Sequence, residues 1–258
     1  MNCELNKLPL ISVITPVYNM EEFLGETLDS ILSSDYPNFE VVVVDDGSSD
    51  NSYQIAKQYA AKDGRVRAFT QKNGGVCVAR NFAIENARGE FILPVDSDDL
   101  ISSDYLTMAM DIILADSEVR VVAPNGEFFG GRQGEFKLPA FSLNLLARRN
   151  IIPPSGVYRK ADWQRVGGYC VEIIATEDWE FWISILKDGG KVVKVPRRSY
   201  FYRVRKQSKR IRDRKLKKHV VNVLNQRHPE FFERELGGKL HYQRSWSKFF
   251  NRLSKIFR

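Results

Sequence analysis

Asp96, Asp98 and Asp99 directly follow the apolar run Phe91-Ile92-Leu93-Pro94-Val95, and they carry the densest potential chemistry in this 258-residue chain. An apolar run that follows Gly89 and ends in polar residues predicts a buried strand stopping at the acidic cluster. Carboxylates at the carboxyl end of a strand sit where open α/β sheets bind their ligands. In an extended segment the side chains at 96 and 98 point to the same side. Two hard oxygen donors there suit Mg²⁺ or Mn²⁺, which keep several waters and bridge phosphates. The same residues also fit a helix N-terminus, with Ser97 or Asp98 capping a segment from Leu100 onward, although capping needs only one carboxylate. A second acidic cluster, Glu177-Asp178, reads as a helix start. Thr176 would be its N-cap, the two carboxylates would lie in the first turn, and Phe181 and Trp182 would sit on the buried face.

The elements that must position these carboxylates are legible upstream. Ile11-Ser12-Val13-Ile14-Thr15-Pro16-Val17-Tyr18-Asn19 predicts a short strand broken at Pro16, and 21–33 carries a helical stripe at Phe23, Leu24, Leu28, Ile31 and Leu32. Phe39 to Val44 is a near-continuous β-branched run, as in a strand buried on both faces of a parallel sheet. It ends in Asp45-Asp46-Gly47-Ser48-Ser49-Asp50, which is either a plain turn or a ligand loop. A second helical pattern follows (Ile55, Tyr59, Ala60), then a strand at 66–69. A helix over 79–87 is entered through Asn73-Gly74-Gly75. Glycines there let backbone approach a phosphate, and Arg80 would pair with a diphosphate or an acidic loop; an ordinary loop and a surface arginine fit equally. The alternation of strand and helix is the signature of a doubly wound α/β sheet.

Several pieces then resemble one family in its own order: S-V-I-T-P-V-Y-N at 12–19, V-V-D-D-G-S-S-D at 43–50 and N-G-G-V-C-V-A-R-N at 73–81, followed by G-E-F-I-L-P-V-D-S-D-D at 89–99, V-G-G-Y at 166–169 and T-E-D-W-E-F-W at 176–182. On these pieces the chain resembles an inverting family 2 glycosyltransferase of the GT-A fold, a Rossmann-like, mostly parallel sheet flanked by helices. The resemblance implies a nucleotide-sugar donor, expected to be a UDP-sugar, and a lipid-linked or cell-surface glycan acceptor. It implies that Pro16, Tyr18, Asn19, Asp46, Gly74, Arg80 and Asp96 face the nucleotide. A carboxylate can accept from a uracil N–H, and Tyr18 can stack on its flat face. Asp98, with Asp96, would hold the divalent cation, and Asp99 would only cap the following helix. Asp178 would be the general base beside Glu177, its pKa raised by apolar walls such as Trp179 or Trp182. Ile152 to Tyr158 resembles the acceptor-side strand and loop, while Tyr169-Cys170-Val171-Glu172 departs from the Phe-Asp-Glu of many members. Arg203 and Arg205 resemble a late loop over the phosphates, with Trp182 near the acceptor. The Q-x-x-R-W of processive synthases does not occur, so one sugar per encounter is implied.

Composition bounds the rest. The length suits one α/β domain plus a tail, expected as 1–205 (a nucleotide half near 10–99, an acceptor half near 100–205) and 206–258. Three scattered cysteines (Cys3, Cys77, Cys170) suggest a reduced, cytoplasmic setting. No run approaches the ~20 apolar residues of a spanning helix, and 1–9 lacks a signal-peptide core. From Arg197 onward there are 20 Lys/Arg against 4 Asp/Glu, whereas 1–196 holds 19 against 28, so the overall +7 averages an acidic body and a basic tail. In that tail Trp246, Phe249, Phe250, Leu253 and Phe257 form a helical stripe among basic residues. The stripe reads as an interfacial anchor on an anionic membrane through 239–258, or as a helix packed on the domain. A nucleic-acid- or membrane-binding protein without transferase activity is the alternative. Nucleic acid is not expected as a partner, because the cleft is acidic. A dinucleotide oxidoreductase is disfavoured because no G-x-G-x-x-G follows the first strand.

Overall fold

A computed structural model describes residues 8–173, 175–205 and 214–241. The first half is built from β1 (Ile11–Val17), α1 (Leu24–Leu32), β2 (Phe39–Asp45), α2 (Ser52–Lys62), β3 (Val66–Thr70), α3 (Val76–Asn86) and β4 (Phe91–Pro94). All pairings among these strands are parallel, with β1 between β2 and β4. The β-branched residues of β2 divide by parity: Val41 and Val43 enter one core, Val42 and Val44 the other. That division is the two-faced burial expected of a covered parallel sheet.

The strand expected to break at Pro16 continues through it to Val17. Ile14 O accepts from Val95 N, whereas Val17 O accepts from Asp46 N. By alternation Pro16 therefore faces the β4 side, past the end of that ladder, where a missing N–H costs nothing.

The second half runs β5 (Leu100–Ile101), α4 (Tyr105–Ala115), β6 (Val119–Gly130), β7 (Gly134–Phe136), α5 (Leu143–Arg148), β8 (Val157–Arg159), α6 (Lys160–Val166), α7 (Glu177–Leu186), β9 (Lys191–Val204), α8 (Arg214–Arg227) and α9 (Pro229–Leu236). The strand order is β3-β2-β1-β4-β8-β6-β9-β5, with β7 on β6. Here β8 is antiparallel to both neighbours and β5 is antiparallel to β9, while β6 and β9 pair in parallel along most of their length, so the mostly parallel sheet carries its antiparallel strands in this half. The acidic turn after β4 also leads elsewhere than expected. Leu100–Ile101 pairs with Tyr200 and Phe201 of β9, and the next helix begins only at Tyr105.

The basic C-terminal segment packs onto this body. Leu224 of α8 and Phe232 of α9 are fully buried in the same core as Trp182. A polar cluster pins the helices: Glu180 of α7, at 0% exposure, accepts from Arg227 Nε and pairs with His228 Nε2, each at 2.9 Å. Ser184 Oγ donates to the same carboxylate at 2.8 Å. Burial alone would raise Glu180, but the bonds from His228 and Arg227 hold it below the ordinary carboxylate value. Leu240 is buried and bonded in both directions to Asn225, so the start of 239–258 belongs to the packed body. The aromatic stripe from Trp246 lies outside the described residues. Among the described residues no helix is long and apolar enough to cross a membrane.

Removing the Glu180 carboxylate leaves Arg227 and buried His228 without their shared acceptor. Glu180→Ala is expected to lower unfolding free energy by about 3 kcal/mol, the low end for a broken buried pair because Arg227 keeps some water. Urea denaturation reads this directly, and a loss below about 1 kcal/mol would remove the cluster from the forces holding α8 and α9.

Candidate active site

The carboxyl ends of β1, β2 and β4 align, and the acidic turns after β2 and β4 flank Tyr18 at the end of β1. Asp46, 3% exposed, organises the glycine loop. Its Oδ1 accepts from Gln71 Nε2 (2.7 Å) and Gly74 N (2.9 Å), and its Oδ2 accepts from Gly75 N (2.8 Å). Gly75 holds φ at +90°, a conformation open to glycine, and thereby turns its N–H toward that carboxylate before α3 begins. Three donors leave one acceptor position of the Asp46 carboxylate open. Asn19 joins the loops on the other side: its N donates to Ser48 Oγ (2.9 Å) and its Oδ1 accepts from Ser49 N (2.8 Å). Tyr18 is 44% exposed, with a ring available for stacking. Pro16, grouped with this loop from sequence, is instead buried within β1 and offers no surface to a ligand.

Arg80 is the centre of the site and is not a surface arginine. At 1% exposure it donates from one guanidinium nitrogen to Glu177 Oε1 and from another to Asp96 Oδ1, both at 2.7 Å, and it stacks over Tyr169. It therefore joins the acidic turn after β4 to the first turn of α7. Asp98 is pushed above the ordinary carboxylate value by burial and by Asp96, against the pull of Arg205 and Arg203. Arg205 Nε lies 2.7 Å from Asp98 Oδ2, and Arg203 Nε donates to the Asp98 carbonyl at 2.7 Å. Both arginines expected in the late loop thus stand against the same acidic turn. Asp99 departs from the expectation that it caps a helix. It is 1% exposed and accepts from Tyr200 Oη and Arg203 N, tying β9 to the turn.

Asp178 lies in the first turn of α7, after Thr176 at φ +56°. Thr176 occupies the N-cap position without capping through its side chain. Asp178 Oδ2 accepts from Asn150 Nδ2 at 2.6 Å, and Asn150 Oδ1 in turn accepts from Ile152 N. Burial first, and Glu177 second, push the Asp178 carboxyl up to about 7, while Arg80 and Asn150 pull it back. A carboxylate poised there can take a proton near neutral pH. Asn150 carries no signal in sequence, since it belongs to no motif and meets Asp178 only through the fold. Trp182 is corrected from the acceptor surface to the core. It has 0% exposure, lies edge-on to Tyr158 at 5.8 Å and packs so tightly on Gly156 that an added Cβ would sit 3.0 Å away. A cavity of about 250 Å³ opens beside Asp178, bordered by Asn150, Ile152, Pro153, Pro154 and aromatic rings from β6 and β9. Among the described residues no three His, Cys, Asp or Glu side chains converge as a complete cation cage.

The family model described as Glycosyl transferase family 2 matches residues 12–166. The uncharacterized glycosyltransferase EpsJ of Bacillus subtilis is 46% identical over 96 residues, covering 37% of this chain and 28% of its own length. Poly(ribitol-phosphate) beta-N-acetylglucosaminyltransferase TarS of Staphylococcus aureus is 33% identical over 210 residues, covering 76% of this chain and 36% of its own. The chain thus spans well under half the length of these curated relatives. The structure of TarS 1–349 in complex with UDP-GlcNAc superposes with a TM-score of 0.72 at 26% identity, covering 84% of this chain and 66% of that one. A family match across more than half of the residues, over a sheet curled in the same GT-A manner, leads to one conclusion: this chain belongs to glycosyl transferase family 2.

Proposed function

We propose that the chain moves one sugar from a UDP-sugar to a hydroxyl of a glycan or lipid-linked acceptor, inverting the anomeric centre. The observation that carries this reading is Asp178, a carboxyl raised to about 7 at the edge of a cavity and linked through Glu177 and Arg80 to Asp96. In the reaction Asp178 takes the acceptor O–H proton as that oxygen bonds to the anomeric carbon. The bond from that carbon to the diphosphate oxygen breaks, and the nucleoside diphosphate leaves with the electron pair. The UDP-GlcNAc complex of TarS supports a uridine donor. Tyr18 would stack on the base, Asp46 and the loop at Gly74 would face the nucleoside, and Arg203 and Arg205 would meet the diphosphate.

Asp98 and Asp96 fit a divalent cation. Burial and the neighbouring Asp96 disfavour the ionised Asp98 carboxylate, a penalty that a cation beside it would relieve; the donors are oxygens only, and Mg²⁺ is usually held by one or two carboxylates plus phosphates. Bound there, Mg²⁺ or Mn²⁺ would neutralise charge growing on the leaving diphosphate. The basic excess after Arg197 supports a peripheral hold on the anionic inner face of the cell membrane.

Nucleoside diphosphate release measured across UDP-, GDP- and dTDP-sugars tests the reading, and no release with any of them would overturn it. Asp178→Asn is expected to bind UDP normally and to lose about 10²–10⁴-fold in transfer. Wild-type transfer should rise with pH through about 7. The stability effect has the opposite sign. A raised folded pKa favours the protonated form, so wild type is penalised increasingly as pH climbs from about 4 towards 7. Asp178→Asn should therefore melt higher than wild type at about pH 8, with the gap closing near pH 4.

Asp98→Ala should weaken UDP binding in Mn²⁺ more than Asp178→Asn does, with little difference between the two in chelator. Calorimetry with UDP decides this, and equal affinity of wild type and Asp98→Ala in saturating Mn²⁺ would remove Asp98 from cation binding.

Truncation after His241 should release the protein from anionic liposomes while its melting temperature stays unchanged. Full retention on the liposomes would move the membrane contact to another surface.

A further inference from the structure

Resting on Asp178 as base, we propose that the cavity beside it takes one uncharged sugar ring of the acceptor, stacked on the wall formed by Tyr202 and Phe128. That wall would discriminate against anionic acceptor units. At about 250 Å³ the space falls short of the ~300–1,000 Å³ typical of sites for larger ligands, which limits it to a single ring. Asp96, Asp98 and Arg80 do not border it, so Asp178 is the group it shares with the acids expected to face the donor.

The wall is aromatic by construction. Phe128 of β6 stands opposite Tyr202 of β9 in the ladder, their rings 5.9 Å apart and perpendicular, and Tyr200 follows at 6.4 Å from Tyr202. A pyranose has an apolar C–H face that packs against such rings and a hydroxyl rim that needs polar partners. Asp178, Asn150 and the tyrosine hydroxyls bring polar groups to the lining, with Ile152, Pro153 and Pro154 completing apolar walls.

Charge selects against phosphate and carboxylate. Among the described residues no Lys, Arg or His lines the cavity, and Arg132 is stacked on the Phe128 ring at 4.4 Å. An anionic unit pressed against Asp178, with Glu177 beyond it, would meet like charge in a poorly hydrated space.

The test uses the full chain with the donor selected by the nucleotide-sugar screen. Methyl hexopyranosides, methyl glucuronide and ribitol 5-phosphate serve as acceptors, read as nucleoside diphosphate release above the rate without acceptor. The neutral rings should accelerate release at least about tenfold more than either anion. Tyr202→Leu and Phe128→Leu should each raise the acceptor KM roughly tenfold, equivalent to about 1.4 kcal/mol of contact. UDP affinity by calorimetry should stay constant, and Tyr202→Phe should restore the KM. Equal use of the anions, or loss of UDP affinity without a change in acceptor KM, would overturn the proposal. So would turnover that requires a long alkyl aglycone whatever the sugar, which would make the cavity a lipid groove. Donor turnover without use of neutral rings would sink this inference alone. Absence of donor turnover would sink the transferase reading with it.

Discussion

Arg80 is the constraint on which the rest of the site depends. Five carboxylates, Asp96, Asp98, Asp99, Glu177 and Asp178, come from two segments some eighty residues apart, and gathering them costs both Coulomb repulsion and desolvation. A planar guanidinium with several fixed donors can bind two carboxylates at once without moving, which a lysine cannot do. Arg80 does this at 1% exposure, bonding Asp96 on one side and Glu177 on the other. Left unpaired at that depth it would itself be costly, so arginine and acids require each other. The turn after β4 and the start of α7 thereby form one rigid unit.

Around that unit the protonation chemistry is set by walls as much as by charges. Asp178 is raised by burial more than by its acidic neighbour, and Arg80 and Asn150 limit the rise. Apolar surroundings that stabilise a protein's core destabilise an ionised carboxylate, so a group held near neutrality carries a stability penalty in its working form. Trp182 and Phe181 are fully buried core residues of the same helix, with Phe181 stacked on Tyr169 at 4.0 Å. Arg80 packs over that same Tyr169 ring. One aromatic residue thus connects the charged centre to the apolar shell.

Helix α7 is fixed from two directions by charge in its first turn. Glu177 is tied to Arg80, and three residues on Glu180 receives Arg227 and His228 from the C-terminal helices. A segment read from composition as a basic appendage therefore contributes, through Leu224 and Phe232, to the core on which the helix carrying Asp178 rests. Asp99 plays the matching part for β9, holding Tyr200 and Arg203 so that the strand bordering the cavity and the acidic turn share one position.

Local sequence was sufficient for the β1–β4 half, where buried parallel strands appear as apolar runs and each run ends in the polar turn that forms the site. It also singled out Asp96, Asp98, Asp178 and the glycine loop as candidates, because each lies within a motif of contiguous residues. It left the turn after Asp98 open to a helix start and did not foresee the antiparallel strands of the second half. A two-residue strand such as Leu100–Ile101 has no periodicity of its own and exists only through its pairing with β9. Asn150 against Asp178, Glu180 under Arg227 and His228, and Trp182 inside rather than at the surface were decided by tertiary structure alone. Each depends on which distant segment lies alongside and on how deeply the side chain is removed from water. Contacts across 28, 47 or 48 residues leave no periodic trace along the chain.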